Sequence, residues 1–235
     1  MPSPPLSAEL PLSKLPNFDP RTVPVTGIDT HLPALAKEAL TPQALRARFA
    51  DPRPWEPEPS NERRTSSRPL APASVLVPIV TRERPTVILT ERTTHLSTHS
   101  GQVAFPGGRR DDSDADAAHT ALREAHEEIG LEHRFVDVIG QMPTYTTGSQ
   151  FIITPVIALV RPDHVLKLNA YEVADAFEVP LDFLMNPAHH RRHMLEWEGW
   201  RREWFSMPYM DRGSERFVWG ATAAMLRNIY RFLSA

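Results

Sequence analysis

The segment that most constrains the fold covers residues 107–131 and reads GGRRDDSDADAAHTALREAHEEIGL. Its apolar side chains recur every three or four positions, which places them on one face of a helix. We therefore predict a helix over residues 116–129 whose apolar stripe packs against a sheet. Asp114 or Asp116 is expected to cap its first turn, and Gly130 is expected to end it. The stripe consists of Ala118, Leu122, Ala125 and Ile129.

A different face of this predicted helix carries three carboxylates, those of Glu124, Glu127 and Glu128. Their charges repel one another, and Arg123, one turn before Glu127, cannot neutralise all of them. A hard divalent cation can, because Mg²⁺ and Mn²⁺ prefer oxygen ligands and usually retain several waters. The face therefore indicates an Mg²⁺ or Mn²⁺ site that neutralises charge on a phosphate and lowers the pKa of an attacking water. Taken alone, an E-x-x-E-E pattern is more often a solvated acidic face.

The surrounding residues favour the metal site. Residues 123–131 read REAHEEIGL, and the pair Gly107-Gly108 precedes them. This arrangement resembles the box of the Nudix hydrolases, a glycine followed at a fixed distance by R-E-U-x-E-E-x-G-U, where U is apolar. Asp114 stands where the general box has Glu, and one extra residue separates it from Arg123. Both departures are similar to the coenzyme A branch of that family.

A second stretch resembles the same branch. Residues 89–92 (LTER) lead into residues 101–108 (GQVAFPGG), similar to the signature L-L-T-x-R through G-x-x-x-F-P-G-G of Nudix coenzyme A diphosphatases. Thr93 replaces a usual Ser or Ala, and Ser97 occupies a position that is often basic there. The departure at Ser97 keeps a second substrate class open, namely ADP-ribose, a dinucleotide or another nucleoside diphosphate derivative. The resemblance covers about residues 73–233.

The resemblance implies a role for each residue of the box. Glu124 and Glu128 would be the main metal ligands, with Glu127 nearby and the carbonyl of Gly108 as a backbone ligand. Arg123 would orient Glu127, and these two are the expected catalytic residues. Three further residues are expected to bind the substrate: Arg92, Phe105 and Gly107.

The implied reaction is attack of water on the diphosphate of coenzyme A or its acyl derivatives. It releases adenosine 3′,5′-bisphosphate and (acyl-)4′-phosphopantetheine. Phosphoryl-type transfer depends mostly on positioning and charge neutralisation, which a carboxylate-bound cation supplies. A third hypothesis is a non-catalytic Nudix domain that senses a nucleotide. Loss of a charged box residue would favour it, and Arg123, Glu124, Glu127 and Glu128 are all present.

The rest of the chain divides into a proline-rich N-terminal part and a globular part. Most of the 24 prolines precede residue 86, which predicts an N-terminal arm and linker over residues 1–72, weakly ordered over residues 1–40. One short helix is predicted over residues 41–49, with Thr41 as its N-cap. The Nudix domain is expected over residues 73–235.

Strands and helices mix in the globular part without regular βαβ alternation. This favours an α+β fold, in agreement with the α/β/α sandwich and mixed β-sheet that the resemblance implies. Strands are predicted over residues 73–80, 86–92, 135–141, 151–161, 194–197 and 200–205, and the remaining helices over residues 181–185 and 219–233.

Several polar or aromatic groups outside the box permit two interpretations. Glu172 and Glu178 are candidates for a general base, with surface carboxylates as the alternative. Residues 145–148 (YTTG) form a pocket wall or a turn. Residues 189–193 (HHRRH) are predicted to be a solvated basic loop rather than a metal or phosphate site. Three tryptophans are predicted to pack in the core rather than stack on adenine: Trp197, Trp200 and Trp204.

Composition excludes several classes of function. The formal net charge of −3 lacks the basic excess of nucleic-acid binders. The absence of cysteine excludes disulfides, thiolate zinc sites and cysteine nucleophiles. Residues 1–16 do not resemble a signal peptide, and the longest apolar stretch, residues 73–80, is too short to span a bilayer. We expect a cytoplasmic enzyme with a small nucleotide substrate and no nucleic-acid or membrane partner, and a homodimer is left open.

Overall fold

The computed structural model describes residues 18–59, 69–94, 101–148, 151–197 and 200–235. Within these residues the α-helices and strands are, in chain order, β1 (Val25–Ile28), α1 (Pro42–Ala50), β2 (Ala71–Val80), β3 (Thr86–Arg92), β4 (Val103–Ala104), β5 (Gly107–Arg109), α2 (Ala117–Ile129), β6 (Val136–Gln141), β7 (Tyr145–Thr146), β8 (Phe151–Val160), β9 (Val173–Pro180), α3 (Leu181–Leu184), β10 (Arg191–Trp197), β11 (Trp200–Asp211), β12 (Ser214–Trp219) and α4 (Gly220–Ser234).

The larger sheet has β2 and β8 at its centre. These two strands run parallel over ten residue pairs, and their neighbours pair antiparallel. The main path is β4-β3-β2-β8-β6, with β5 on β2, β7 on β8 and β9 on β3. Both central strands are apolar along most of their length because both faces of the sheet are covered. This is the mixed sheet of the predicted α+β fold, which is confirmed.

The two faces of the larger sheet carry separate cores. Leu76, Val156 and Ile88 point to one face and pack against Ala125 and Ile129 of α2. On the opposite face, Val77, Ile79 and Leu89 pack with side chains of α1 and α4. Alternation along each strand sends neighbouring residues to opposite faces, which produces the helix–sheet–helix layering.

A second, antiparallel sheet lies beside the first, in the order β1-β10-β11-β12. Phe205 and Met207 of β11 and Val218 of β12 belong to the same core as α4. The β10–β11 hairpin was predicted to end at residue 205, but β11 continues to residue 211 and pairs with β12. Six strands had no counterpart in the sequence predictions: β1, β4, β5, β7, β9 and β12. They are short or mix polar and apolar residues, so their conformation depends on pairing with neighbouring strands.

The N-terminal part is ordered where the structure describes it, so the weakly ordered arm predicted over residues 1–40 is corrected for residues 18–40. Strand β1 pairs with β10, and the hydroxyl of Tyr230 donates to the carbonyl of Pro33 at 2.8 Å. Leu40 is buried in the main core. The prolines fix an extended backbone without preventing this packing. Residues 1–17 lie outside the described residues.

The predicted short helix is confirmed as α1. The hydroxyl of Thr41 accepts from the backbone N–H of Ala44 at 3.3 Å, and Pro42 occupies the first turn. The following segment also contacts the body of the protein, since Trp55 packs edge-on against Phe232. A domain boundary at residue 73 stays a prediction.

Candidate active site

Helix α2 begins and ends as the sequence predicts. The side chain of Asp116 accepts from the N–H of His119 at 2.8 Å and caps the first turn. Gly130 ends the helix in the left-handed region, with φ of 67°. A Cβ at this position would lie 2.8 Å from Lys167, so glycine is required by both conformation and space.

Asp114, the alternative cap, has a different role: it anchors Arg123. Its carboxylate accepts from Nε and Nη2 of Arg123 at 3.0 and 2.9 Å, and it is 2 % exposed. The Arg123 guanidinium holds the pKa of Asp114 well below its usual range, and the pairing raises the pKa of Arg123. A bidentate, buried pair fixes the arginine in one orientation.

The anchored arginine orients two glutamates rather than one. Its Nη1 donates to Glu124 at 2.9 Å and to Glu127 at 3.1 Å. Its Nη2 also donates to the carbonyl of Arg109 at 3.1 Å, which ties α2 to β5. The predicted orientation of Glu127 by Arg123 is therefore present, and Glu124 shares the same donor.

Glu128 is the most buried carboxylate of the cluster, with 3 % of its surface exposed. It accepts from the backbone N–H of Gly107 at 3.1 Å and lies 3.4 Å from Nη1 of Arg92. Burial raises the pKa of Glu128 to about 7, and the charges of Glu124 and Glu172 add to the shift. Burial also raises the pKa of Glu124.

The two glycines of β5 allow the helix to approach the strand. A Cβ on Gly108 would lie 2.5 Å from the carboxylate of Glu124, and one on Gly107 would lie 2.4 Å from the carbonyl of Ser74. Any side chain at residue 108 would displace Glu124. The carboxylates of Glu124 and Glu128 therefore both converge on the Gly107-Gly108 backbone.

These residues fit a hard divalent cation by the chemistry of their donors. The charge of Glu124 disfavours the charged form of Glu128, and Glu127 and Glu172 disfavour that of Glu124. A cation bound at this cluster would offset these repulsions. In their present rotamers, no group of three or more His, Cys, Asp or Glu among the described residues is arranged to hold a metal. Glu124 and Glu127 face Arg123, while Glu128 faces the N–H of Gly107.

Of the two candidate bases outside α2, the structure brings only Glu172 to the cluster. Its charge acts on both Glu124 and Glu128. Glu178 lies further along, within β9, where it accepts from Nε and Nη2 of Arg82 at 2.7 and 2.6 Å. That pairing accounts for Glu178 as a structural residue.

Of the three residues expected to bind the substrate, Arg92 and Gly107 lie beside Glu128 and Phe105 lies in the main core. Arg92 lies beside Glu128 at the end of β3. The N–H of Gly107 is used by Glu128. The side chain of Phe105 is 3 % exposed and packs in the main core, on the side of the sheet away from α2. The expected role of Phe105 in substrate binding stays a prediction. Ser97 lies outside the described residues.

Arg216 of β12, which the sequence analysis missed, supports the strand ends beside the cluster. Its guanidinium lies 2.6 Å from Glu91, bonds to Asp175, and lies 3.0 Å from Asp211. Glu91 and Asp175 stand directly opposite each other in the β3–β9 ladder, where two like charges are unfavourable without a bridging cation. The next residue of β3 is Arg92. No local motif signals this role, because the partners are distant in sequence.

The histidine-rich segment is not the solvated loop that was predicted. His190 and His193 are 0 % and 2 % exposed. His193 belongs to β10, which lies between β1 and β11, and His190 packs against Tyr230 of α4. Nδ1 of His193 bonds to the carbonyl of Val23 at 2.9 Å. Trp204 is 8 % exposed and stacks on His193, which confirms the core interpretation for this tryptophan. The side chains of Trp197 and Trp200 lie outside the described part.

Residues 145–148, for which a pocket wall and a turn were both open, contain the two-residue strand β7, and Tyr145 lines a cavity. No helix in the described part of the chain is long and apolar enough to cross a membrane.

Comparison with known proteins agrees with this arrangement. The chain is 39% identical over 157 residues to the uncharacterized Nudix hydrolase NudL of Enterobacter sp. strain 638, covering 67% of this chain and 80% of the relative. It is 40% identical, with the same coverage, to the protein of that name from Escherichia coli K12.

Solved structures show a looser likeness. A Caenorhabditis elegans Ap4A hydrolase is 17% identical, with a TM-score of 0.42 over 49% of this chain and 85% of that one. The Nudix hydrolase RenU from Mycobacterium smegmatis is 26% identical, with a TM-score of 0.39 over 48% of this chain and 72% of that one.

A family model described as the NUDIX domain matches residues 70–207, which is more than half of the chain. That match includes β2 through most of β11, and so the whole of α2 with Arg123 and its three glutamates. The chain therefore belongs to the Nudix hydrolase family.

Proposed function

We propose that this Nudix hydrolase is a Mg²⁺- or Mn²⁺-dependent diphosphatase of coenzyme A and its acyl derivatives. The family acts on phosphoanhydride bonds of nucleoside diphosphate derivatives. The observation that carries the proposal is the convergence of Glu124 and Glu128 on the Gly107-Gly108 backbone, with Arg92 beside them. The residues around this site resemble the coenzyme A branch in two separate stretches.

Each residue of the site has a distinct task in this proposal. Glu124, Glu128 and the carbonyl of Gly108 would hold the cation, which supplies charge neutralisation at the diphosphate and acidifies a water when bound. Arg123, fixed by Asp114, holds Glu124 in place before substrate arrives. Such preorganisation avoids rearrangement during the reaction.

Arg92 is the residue best placed to bind a phosphate of the substrate. Its guanidinium is partly buried and its only described carboxylate contact is the long one to Glu128, at 3.4 Å. A planar guanidinium can bind a phosphate through two parallel hydrogen bonds. Competition between Glu128 and a phosphate for Arg92 would free the carboxylate for the cation.

Two carboxylates can accept the proton of the attacking water. Glu127 is held by Arg123 at the exposed edge of α2. Glu172 approaches from the start of β9 and acts electrostatically on both predicted ligands. We retain Glu127 as the expected catalytic residue and Glu172 as the competing base. Glu→Gln variants of each separate them, since the base variant alone should lower kcat without weakening metal binding.

Hydrolysis of ADP-ribose or another nucleoside diphosphate derivative is the second candidate, favoured by serine rather than a basic residue at position 97. A non-catalytic sensor is disfavoured by the complete Arg123, Glu124, Glu127 and Glu128 set. The homodimer and the cytoplasmic location stay predictions.

A substrate panel with Mg²⁺ tests the proposal. Coenzyme A, acetyl-coenzyme A, ADP-ribose and a dinucleotide are incubated with the protein, and products are identified by mass. We expect adenosine 3′,5′-bisphosphate and phosphopantetheine from coenzyme A at the highest kcat/KM. Turnover of ADP-ribose alone would overturn the substrate assignment and keep the reaction class, whereas turnover of none of the four would overturn both.

A further inference from the structure

A cavity of about 500 Å³ lies between the β10–β11 hairpin and the first half of α4. Met194 and Phe205 form part of the strand wall, and Ala224 and Asn228 form part of the helix wall. Among the described residues, none of α2 lines it. This volume is within the range that holds a small molecule, roughly 300–1,000 Å³.

One wall of the cavity holds a fixed arginine. Arg192 donates through Nε and Nη2 to Asp29 at 3.0 and 2.9 Å, and through Nη2 to Glu58 at 3.0 Å. Its guanidinium lies 4.6 Å above the ring of Phe205. Nη1 has no hydrogen-bond partner among the described residues. The side chain is therefore oriented by its neighbours and keeps a donor available.

The charges behind this wall favour an anion. Glu58 is shared by three arginines, since Arg227 and Arg231 contact its other oxygen at 3.0 and 3.1 Å. Arg227 also pairs with Asp29 at 2.9 Å. Glu58 and Glu203 line the cavity themselves, and each is paired with arginine. With Asp29 they make three carboxylates against four arginines, namely Arg192, Arg201, Arg227 and Arg231. A ligand carboxylate or phosphate would face the excess positive charge rather than a free acid.

A second arginine stands at the mouth of the cavity. Arg201 lines the cavity and is ion-paired with Glu203, and its side chain is 60 % exposed. Its neighbour Arg202 follows it on β11, where successive side chains point to opposite faces, and Arg202 is absent from the lining. Two guanidinium groups in the lining of one cavity suit a phosphate-bearing ligand better than a neutral one.

The cavity and the catalytic cluster share one end of the larger sheet. Tyr145 of β7 lines the cavity, and β7, β8, β2 and β5 are successive neighbours. Three strand spacings of about 4.8 Å separate β7 from the Gly107-Gly108 backbone, roughly 15 Å in all. The cavity is on the α4 side of that sheet and α2 is on the other. A ligand that contacts both the cavity and the catalytic cluster would have to pass around the edge strand β7.

We propose that this cavity is a binding site for a phosphate-bearing small molecule of nucleotide size. Arg192 and Arg201 bind the phosphate, and Met194 and Phe205 contact the organic part. The phosphate has two conceivable sources, the end of the substrate remote from the cleaved bond or a separate nucleotide.

Calorimetric titration in EDTA tests the site independently of hydrolysis. The probes are adenosine 3′,5′-bisphosphate and adenosine, which differ only in phosphate. The bisphosphate is expected to bind once per chain, and adenosine at least tenfold more weakly. Ala224→Phe, which fills the cavity, should reduce bisphosphate affinity at least tenfold, and Arg201→Gln about fivefold. Arg202→Gln is the matched control and should bind as the wild type does.

Thermal unfolding of every variant separates a lost site from a lost fold. Arg201 is exposed, so its variant stays informative even if Ala224→Phe does not fold. Equal bisphosphate affinity for Arg201→Gln, Arg202→Gln and the wild type would overturn the proposal, as would undetectable binding to the wild type in EDTA. With Mg²⁺, a higher KM for the best substrate in Arg201→Gln identifies the substrate as the source. An unchanged KM together with bound bisphosphate identifies a separate nucleotide.

Discussion

The acidic face of α2 and the cluster around Glu58 are built from the same groups in opposite proportions. On α2, Arg123 stands among carboxylates that outnumber it, and burial raises the pKa values of Glu124 and Glu128. Around Glu58, arginines outnumber the carboxylates. The first excess leaves charge for a cation to neutralise, and the second holds the N-terminal segment against α4. Ion pairs of the same kind are therefore expected to serve catalysis in one region and stability in the other.

Removing one negative charge from the α2 face should have the largest effect. Glu124→Gln and Glu128→Gln keep the side-chain shape and are expected to lower kcat by a factor on the order of 10³, roughly 4 kcal/mol of transition-state stabilisation. Glu132→Gln, just beyond the helix, is the control because Glu132 is exposed and pairs only with Arg134 among the described residues. Near-wild-type kcat in both site variants would remove the metal-site assignment.

The equivalent change at Glu58 should affect stability and leave chemistry intact. Glu58→Gln deprives Arg227, whose side chain is 3 % exposed, of one of its two carboxylate partners. An uncompensated buried charge costs about 3 kcal/mol, and because Arg227 stays paired with Asp29, the free energy of unfolding should fall by less than that amount. Glu56→Gln, exposed two residues earlier, is the matched control. A lower kcat, measured at a temperature at which the Glu58→Gln variant stays folded, would contradict the division between the two regions.

Arg216 lies between the two cases, because the strand ends that it stabilises also position Arg92 at the candidate active site. Arg216→Met leaves Glu91 and Asp175 opposed without a cation, and should lower kcat/KM about tenfold, or about 1.4 kcal/mol, through displacement of Arg92. Arg82→Met removes the ion pair with Glu178 further along β9 and should leave kcat/KM unchanged. Adding Asp175→Asn to Arg216→Met should restore part of the loss. Identical kcat/KM in the two single arginine variants would show that Arg216 only stabilises the fold.

The smallest effect is a pH dependence of stability at His190, beside the Glu58 cluster. Burial lowers the pKa of His190 to about 4, and Nε2 donates to the carbonyl of Leu184 while Nδ1 faces Arg227. His190 takes up a proton near pH 6.5 in the unfolded chain but only near pH 4 in the folded chain. The free energy of unfolding is therefore highest above pH 6.5 and falls as the pH decreases from 6.5 to 4. We expect a loss of about 1 kcal/mol between about pH 6.5 and about pH 5.5. Denaturant titrations of His190→Gln should show a shallower slope there, and an unchanged slope would contradict the assignment.

The sequence predicted the catalytic region better than the region around Glu58 for a physical reason. Arg123, Glu124, Glu127 and Glu128 lie on one helix, so helical spacing alone puts them together. Asp114 was recognised as a candidate cap and as a position of the box, but its pairing with Arg123 was not predicted, since that pairing depends on the loop before α2. The burial of the Phe105 side chain could not be predicted, because its direction depends on the strand pairing around it.

The N-terminal segment could not be predicted from local signals. Its proline content indicates an extended backbone but contains no information about what that backbone packs against. Asp29 and Glu58 meet Arg192 and Arg227 only after the chain has folded. Strand β1, with Gly27 in its middle, gains its conformation from pairing with β10. Long-range contacts therefore set the structure here.

The most direct test of the catalytic account is hydrolysis of coenzyme A by the wild-type protein before and after metal removal. Release of adenosine 3′,5′-bisphosphate is followed in metal-free buffer with EDTA, and then after addition of Mg²⁺ or Mn²⁺ in excess of the chelator. The carboxylates of α2 predict no turnover in EDTA and full recovery with either cation. Undiminished turnover in metal-free buffer would contradict the central claim that these glutamates act through a divalent cation.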